Sequence, residues 1–183
     1  MRACICIRGF ALLWPRMGIL KLQQEIHCDV PTFWRQFFDR ELSRRLFLEG
    51  LGFHAYETLS QEETDAEIRR TVAVEPKLSM PGPLAKMFGS SFRYTEEGVF
   101  DKAAGVFRWK LVPGSLAGKV RVDATLRAAP LGPSRLMRHV EFVIEAQVFM
   151  VGGLIEDTFR KQLSEGWTRS AEIQNEWLRS AAG

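Results

Sequence analysis

The chain has 183 residues, of which 46% are apolar and 26% charged, and its net charge of +3 comes from mixed signs. A chain this long buries about 70% of the surface its unfolded form exposes, so it needs no disulfide or metal to fold. The densest basic cluster, Arg40, Arg44 and Arg45, is broken by Glu41 and is no sustained nucleic-acid-binding face, and no run reaches the ~18 apolar residues of a membrane span.

Residues 1–16, MRACICIRGFALLWPR, differ in character from the remainder of the chain. They carry arginines and no acid, Arg8 splits the apolar part, and Pro15-Arg16 stand where a secretory signal needs small residues. A mitochondrial presequence is a weak reading, since serine is absent. The segment is read as a non-domain extension, disordered or a misassigned start, with one domain over 17–180 beginning at Met17. Cys4, Cys6 and Cys28 form an odd set without a CxxC pair, which suits a reduced, cytoplasmic compartment.

From Leu20 to Cys28, Leu20, Leu22, Ile26 and Cys28 share one face with Gln24, a period of two that predicts a half-buried strand. Asp29 then caps a short helix with Pro31 in its first turn. Phe33/Phe37 and Trp34/Phe38 give it a broad apolar stripe. A second short helix over RELSRRLFLEGLG ends at Gly50 or Gly52.

Strands come next. Residues 53–63 and 64–77 are two runs joined by a polar turn, and Ile68, Val72 and Val74 share a face with Arg70. MPGPLAKMFG, residues 80–89, is turn-rich with room for one helical turn. In the next pair Phe92 and Tyr94 share a face with Glu96, and Phe107, Trp109 and Leu111 lie opposite Arg108 and Lys110. Val120, Val122, Ala124 and Leu126 alternate with polar residues, as do Val140, Phe142, Ile144 and Ala146. Short strands with short connections in series predict an antiparallel meander.

The last helix, from about Gly153 on, carries Ile155, Phe159, Leu163, Gly166, Ser170, Ile173 and Trp177 at steps of three or four. Leu154 and Trp167 widen the stripe, and Glu156 and Asp157 are expected to sit near the helix start, where the macrodipole favours acids. Gly166 is the anomaly, because glycine in a helix interior costs about 1 kcal/mol relative to alanine.

The order of strand, two short helices, about six strands and one long helix resembles the START-like (birch-allergen-like, SRPBCC, helix-grip) superfamily. IHCDVPTFWRQFFD resembles its strand-to-helix opening, and GGLIEDTFRKQLSEGW its terminal helix with the lead-in. The likeness is closest to a bacterial branch of unknown function. It implies an α+β fold, a curved antiparallel sheet of about seven strands wrapped around the C-terminal helix. It also implies an apolar cavity between them that holds a lipid-like molecule.

Two readings stand at Gly166: a neighbour fills the missing side chain's place, or Gly166 and Ser170 leave room for a ligand. Arg70 and Arg138 share strand faces with apolar residues. Either they lie near strand ends and reach water, or one grips an anionic head group or pairs with Glu96. Tyr94 bonds a ligand or a backbone group. Val72, Phe92, Trp109, Phe142, Phe159 and Leu163 are core residues first and cavity lining second. Phe33, Trp34, Phe37 and Phe38 are read as helix-on-sheet packing.

Catalytic motifs fail on inspection. GLGFHA, residues 50–55, follows a helix and precedes a strand, the reverse of a dinucleotide loop. GSLAGK lacks a residue and the Ser/Thr of a phosphate loop. His27, His54 and His139 lack metal-ligand spacing. The leading expectation is therefore non-enzymatic binding or transport of an apolar small molecule or lipid. It involves no cofactor, no metal, no nucleic acid and no transmembrane segment, with transient membrane contact left open. Access would be gated by the second helix and the 80–89 loop. The alternatives are an interaction module with a filled core and a cyclase or hydrolase acting on a bulky hydrophobic substrate, so catalysis stays undecided.

Overall fold

The structure is a computed structural model that describes residues 18–77, 81–82, 84–85, 92–115 and 118–181. The 1–16 extension and most of the 80–89 loop lie outside these residues.

Strand β1 (Gly18–Ile26) leads to helix α1 (Val30–Phe38) and helix α2 (Arg40–Arg45), which runs into one wider π turn at Leu46–Gly50. Six more strands succeed it: β2 (Ala55–Glu63), β3 (Glu67–Glu75), β4 (Tyr94–Asp101), β5 (Val106–Pro113), β6 (Val120–Gly132) and β7 (Arg135–Ala146). Helix α3 (Gly152–Ala181) ends the described chain. The seven strands form one curved antiparallel sheet in the order β1-β7-β6-β5-β4-β3-β2, so consecutive strands from β2 to β7 are neighbours and β1 closes on β7. This is the helix-grip arrangement.

The alternation of side chains decides which face is covered. Phe107, Trp109, Leu111, Val122, Ala124, Leu126, Val140, Phe142 and Ile144 are buried on one parity, while Arg108, Lys110, Arg121 and Arg127 of the other parity are exposed. The register brings these residues into transverse rows. One row runs Leu20, Phe142, Ala124, Trp109, Gly98 and Arg70 across six strands. Gly98 is required in that row. A methyl group on it would lie 2.6 Å from Phe107 Cε2 and 2.8 Å from Trp109 Cβ, so the two side chains take the space a third would need.

The helices cap and pack as their sequences dictate. Asp29 Oδ1 accepts from Thr32 N at 2.7 Å, and Asp39 Oδ1 accepts from Leu42 N at 2.8 Å, so each short helix starts on an aspartate cap. In α1, Trp34 stacks on Phe38 with centroids 6.1 Å apart and tilts over Phe100 at 4.2 Å, locking the helix to the sheet. The π turn closes where Leu51 N donates to Leu46 O. Gly50 permits close packing on α3, since a Cβ there would be 3.0 Å from Ile173 Cδ1. Gly52 has φ +69°, a left-handed conformation that reverses the chain toward β2.

Three details depart from the sequence reading. Helix α3 begins at Gly152, so Glu156 and Asp157 fall beyond its first turn. Glu156 Oε1 instead accepts from Ala146 N at 3.0 Å and ties the helix to the end of β7. Leu154 points outward rather than widening the apolar stripe. No described helix is long and apolar enough to cross a membrane.

Candidate ligand-binding cavity

Between the concave face of the sheet and α3 lie two adjoining cavities, of about 330 and 280 Å³. Both are bounded by Leu51, Phe53, Tyr94, Leu111, Gln162, Leu163 and Gly166, so they adjoin as two lobes along these residues. The larger lobe extends under α1, α2 and the π turn to Phe37, Leu46 and Phe47. The smaller extends toward Pro76, Leu84, Phe92 and Phe159.

Gly166 sits at the junction of the lobes. Among the described residues a Cβ built on it meets no atom within 4 Å, so neither a described strand nor Trp167 fills its place. The Trp167 ring turns aside instead, 5.8 Å from Trp109 and 5.9 Å from Phe142.

The two arginines do not reach water at strand ends, as one of the two readings had it. They are 7% and 4% exposed, and interior acceptors hold them. Arg70 Nη1 donates to Phe37 O at 2.7 Å, a carbonyl at the C-terminal end of α1 where the helix dipole favours a cation. Its guanidinium lies 4.6 Å from the centre of the Phe37 ring and 5.1 Å from that of Phe38. Arg138 donates from Nε to Gln24 Oε1 at 3.1 Å, and from Nη2 to Trp167 O at 2.7 Å and Ser170 Oγ at 3.1 Å. It thereby links β7, β1 and α3. Burial pulls its guanidinium down to about 9, which leaves it charged at neutral pH.

Glu96 faces the larger lobe from β4. Burial pushes its carboxyl up to about 7, and nearby Arg70 opposes that rise without hydrogen-bonding it. Beside it, burial and the Glu96 charge keep the Tyr94 hydroxyl protonated, well above its ordinary range. The Trp109 indole Nε1, buried in the same wall, has no hydrogen-bond partner among the described residues. The lobe is thus an apolar chamber with two buried cations and one carboxyl whose charge is finely balanced.

Of the residues singled out from sequence, Arg70, Glu96, Trp109, Arg138, Phe142 and Ser170 border the larger lobe. Phe92 and Phe159 border the smaller, and Tyr94, Leu163 and Gly166 border both. Val72 lines neither lobe and is buried with Tyr56 and Val74. The sequence reading missed Gln36, Phe37, Phe47, Phe53 and Gln174. Phe37, read from sequence as packing alone, both packs and lines the wall. Gln24 was the available signal for the polar end. It is the polar residue on the apolar parity of β1, and its amide holds Arg138.

A seven-stranded antiparallel sheet gripping a long C-terminal helix, with two short helices after the first strand, is the START-like (birch-allergen-like) fold. Solved structures share the fold at low identity. ZhuI aromatase/cyclase from Streptomyces sp. R1128 is 15% identical, with a TM-score of 0.62 over 91% of this chain and 99% of that one. A START superfamily protein from Mycobacterium smegmatis is 14% identical, with a TM-score of 0.57 over 87% and 98%. Norcoclaurine synthase from Thalictrum flavum, solved with dopamine and hydroxybenzaldehyde, is 13% identical, with a TM-score of 0.55 over 94% and 96%. The chain belongs to the family described as protein of unknown function (DUF2505), which matches residues 21–178. No curated protein matches the sequence.

Proposed function

We propose that this protein binds an apolar, lipid-like small molecule between its sheet and α3, as a carrier rather than an enzyme. The observation that carries the reading is Gly166, a costly residue in a helix interior, opening onto unfilled space at the junction of two apolar lobes. A cavity of several hundred Å³ with a few polar groups is the usual form of a small-molecule site. Removing apolar ligand surface from water stabilises a complex by about 25 cal/mol per Å². An interaction module with a filled core has no use for either lobe.

The cyclase or hydrolase reading has one observation in its favour. Glu96, whose buried carboxyl is raised to about 7 beside Arg70, has the character of a general acid or base. No second carboxyl, histidine or cysteine stands with it among the residues lining that lobe.

Native mass spectrometry of the purified protein tests the proposal, together with titration by the neutral fluorophore 1-aminoanthracene. A retained mass that organic extraction releases, and saturable probe uptake afterwards, are the expected results. A bare protein mass with no probe uptake would overturn the carrier reading.

A further inference from the structure

We propose that the ligand is an apolar monocarboxylic acid whose carboxylate pairs with Arg138, an inference that rests on the carrier reading above. Arg138 is 4% exposed, and every acceptor it reaches among the described residues is neutral: the Gln24 amide, the Trp167 carbonyl and the Ser170 hydroxyl. Its guanidinium stands 4.7 Å from the centre of the Trp167 ring. These bonds use Nε and Nη2, and no acceptor among the described residues takes Nη1. The other arginines of the lobe are compensated. Arg45 has Glu49 at 3.4 Å, and Arg70 has the end of α1 and the nearby Glu96. A buried charge without a counter-ion is strongly unfavourable, and tying β7 to α3 requires donors but no charge. The cation is therefore matched to something that arrives from outside, and a guanidinium fork matches a carboxylate.

Charge and length restrict the ligand further. Arg70 and Arg138 face the single carboxyl of Glu96 in one lobe, so one added negative charge balances the chamber when Glu96 is ionised. A phosphate monoester, carrying about −1.5 to −2, would overbalance it. From Ser170, bonded to Arg138, back to Phe159 in the second lobe is about 16 Å of helix. Gly166 lies between them, borders both lobes and places no side chain there. A medium-length acyl chain can run from Arg138 past Gly166 into the smaller lobe.

The experiment compares dodecanoic acid, 1-dodecanol and dodecyl phosphate as competitors of 1-aminoanthracene on the full chain at pH 8. The acid is expected to bind roughly tenfold or more tighter than the alcohol, the scale of a charge-assisted hydrogen-bonded pair. A folded Arg138→Gln protein should bind the acid and the alcohol with similar affinity. Equal affinities of acid and alcohol for the unmodified protein overturn the assignment, even where the variant does not fold. A folded Arg138→Gln protein that keeps the preference overturns it too, and so does tighter binding of the phosphate. A protein that takes up the probe but binds none of the three loses this inference and keeps the carrier reading, good binding of the alcohol alone likewise removes only this inference, and a bare protein with no probe uptake removes both.

Discussion

Replacement of Gly166 separates the cost of glycine from its use. A methyl group there meets no atom of the described residues within 4 Å, so Gly166→Ala is expected to gain helix propensity without steric penalty. The gain is about 1 kcal/mol, which for a chain of this size raises Tm by roughly 2–4 °C. Gly166→Phe sends a ring into the same opening. If the ring displaces roughly four methylene groups of ligand, at about 0.8 kcal/mol each, binding weakens by about 3 kcal/mol, or roughly a hundredfold. Calorimetry of both variants and 1-aminoanthracene titration read the two effects. A destabilised Gly166→Ala protein would show that the position is not open. A folded Gly166→Phe protein with undiminished uptake would show that the probe binds elsewhere.

Two further outcomes arise from the same interior. The folded chain raises the Glu96 carboxyl from 4.5 to about 7 and so holds that proton more tightly than the unfolded chain. Its contribution is fully present below pH 4.5 and is lost as pH rises through about 7, a loss of at most roughly 3 kcal/mol. Urea denaturation of Glu96→Gln should therefore show an advantage over the parent that grows between pH 5 and pH 8, and a constant difference would refute the burial argument. Gly98→Ala places a methyl group against Phe107 and Trp109 and should destabilise by about 1–3 kcal/mol through overpacking. An unchanged urea midpoint would mean the rings can withdraw.

The elements of the fold were legible because each has a local cause. Alternation of Val120, Val122, Ala124 and Leu126 against charged neighbours can form only a strand with one covered face. Asp29 before Pro31 makes a helix start, and the bonded cap confirms it. Gly52 marks a chain reversal by conformation alone. The long α3 stripe implied a helix lying on the sheet, and its order after six strands pointed to the helix-grip arrangement.

The polar interior was not legible, because it depends on which residues distant in the chain come together. Parity placed Arg70 and Arg138 on the apolar face but could not show where their charges go. That depended on the carbonyl of Phe37, 33 residues away, and on Gln24, 114 residues away. Val72 has the parity of a cavity residue, yet it is packed with Tyr56 and Val74 where β2 and β3 meet, and that cluster fills its surroundings. Likewise Gln36, Phe47 and Phe53 line the chamber through the way α1, α2 and the π turn lie across it. Hydrophobic periodicity is a property of one segment, so the sequence alone determined the strands, the caps and the covered faces. A cavity is the space that several segments leave between them, and only the tertiary packing decided its size, its polar end and the vacant place beside Gly166.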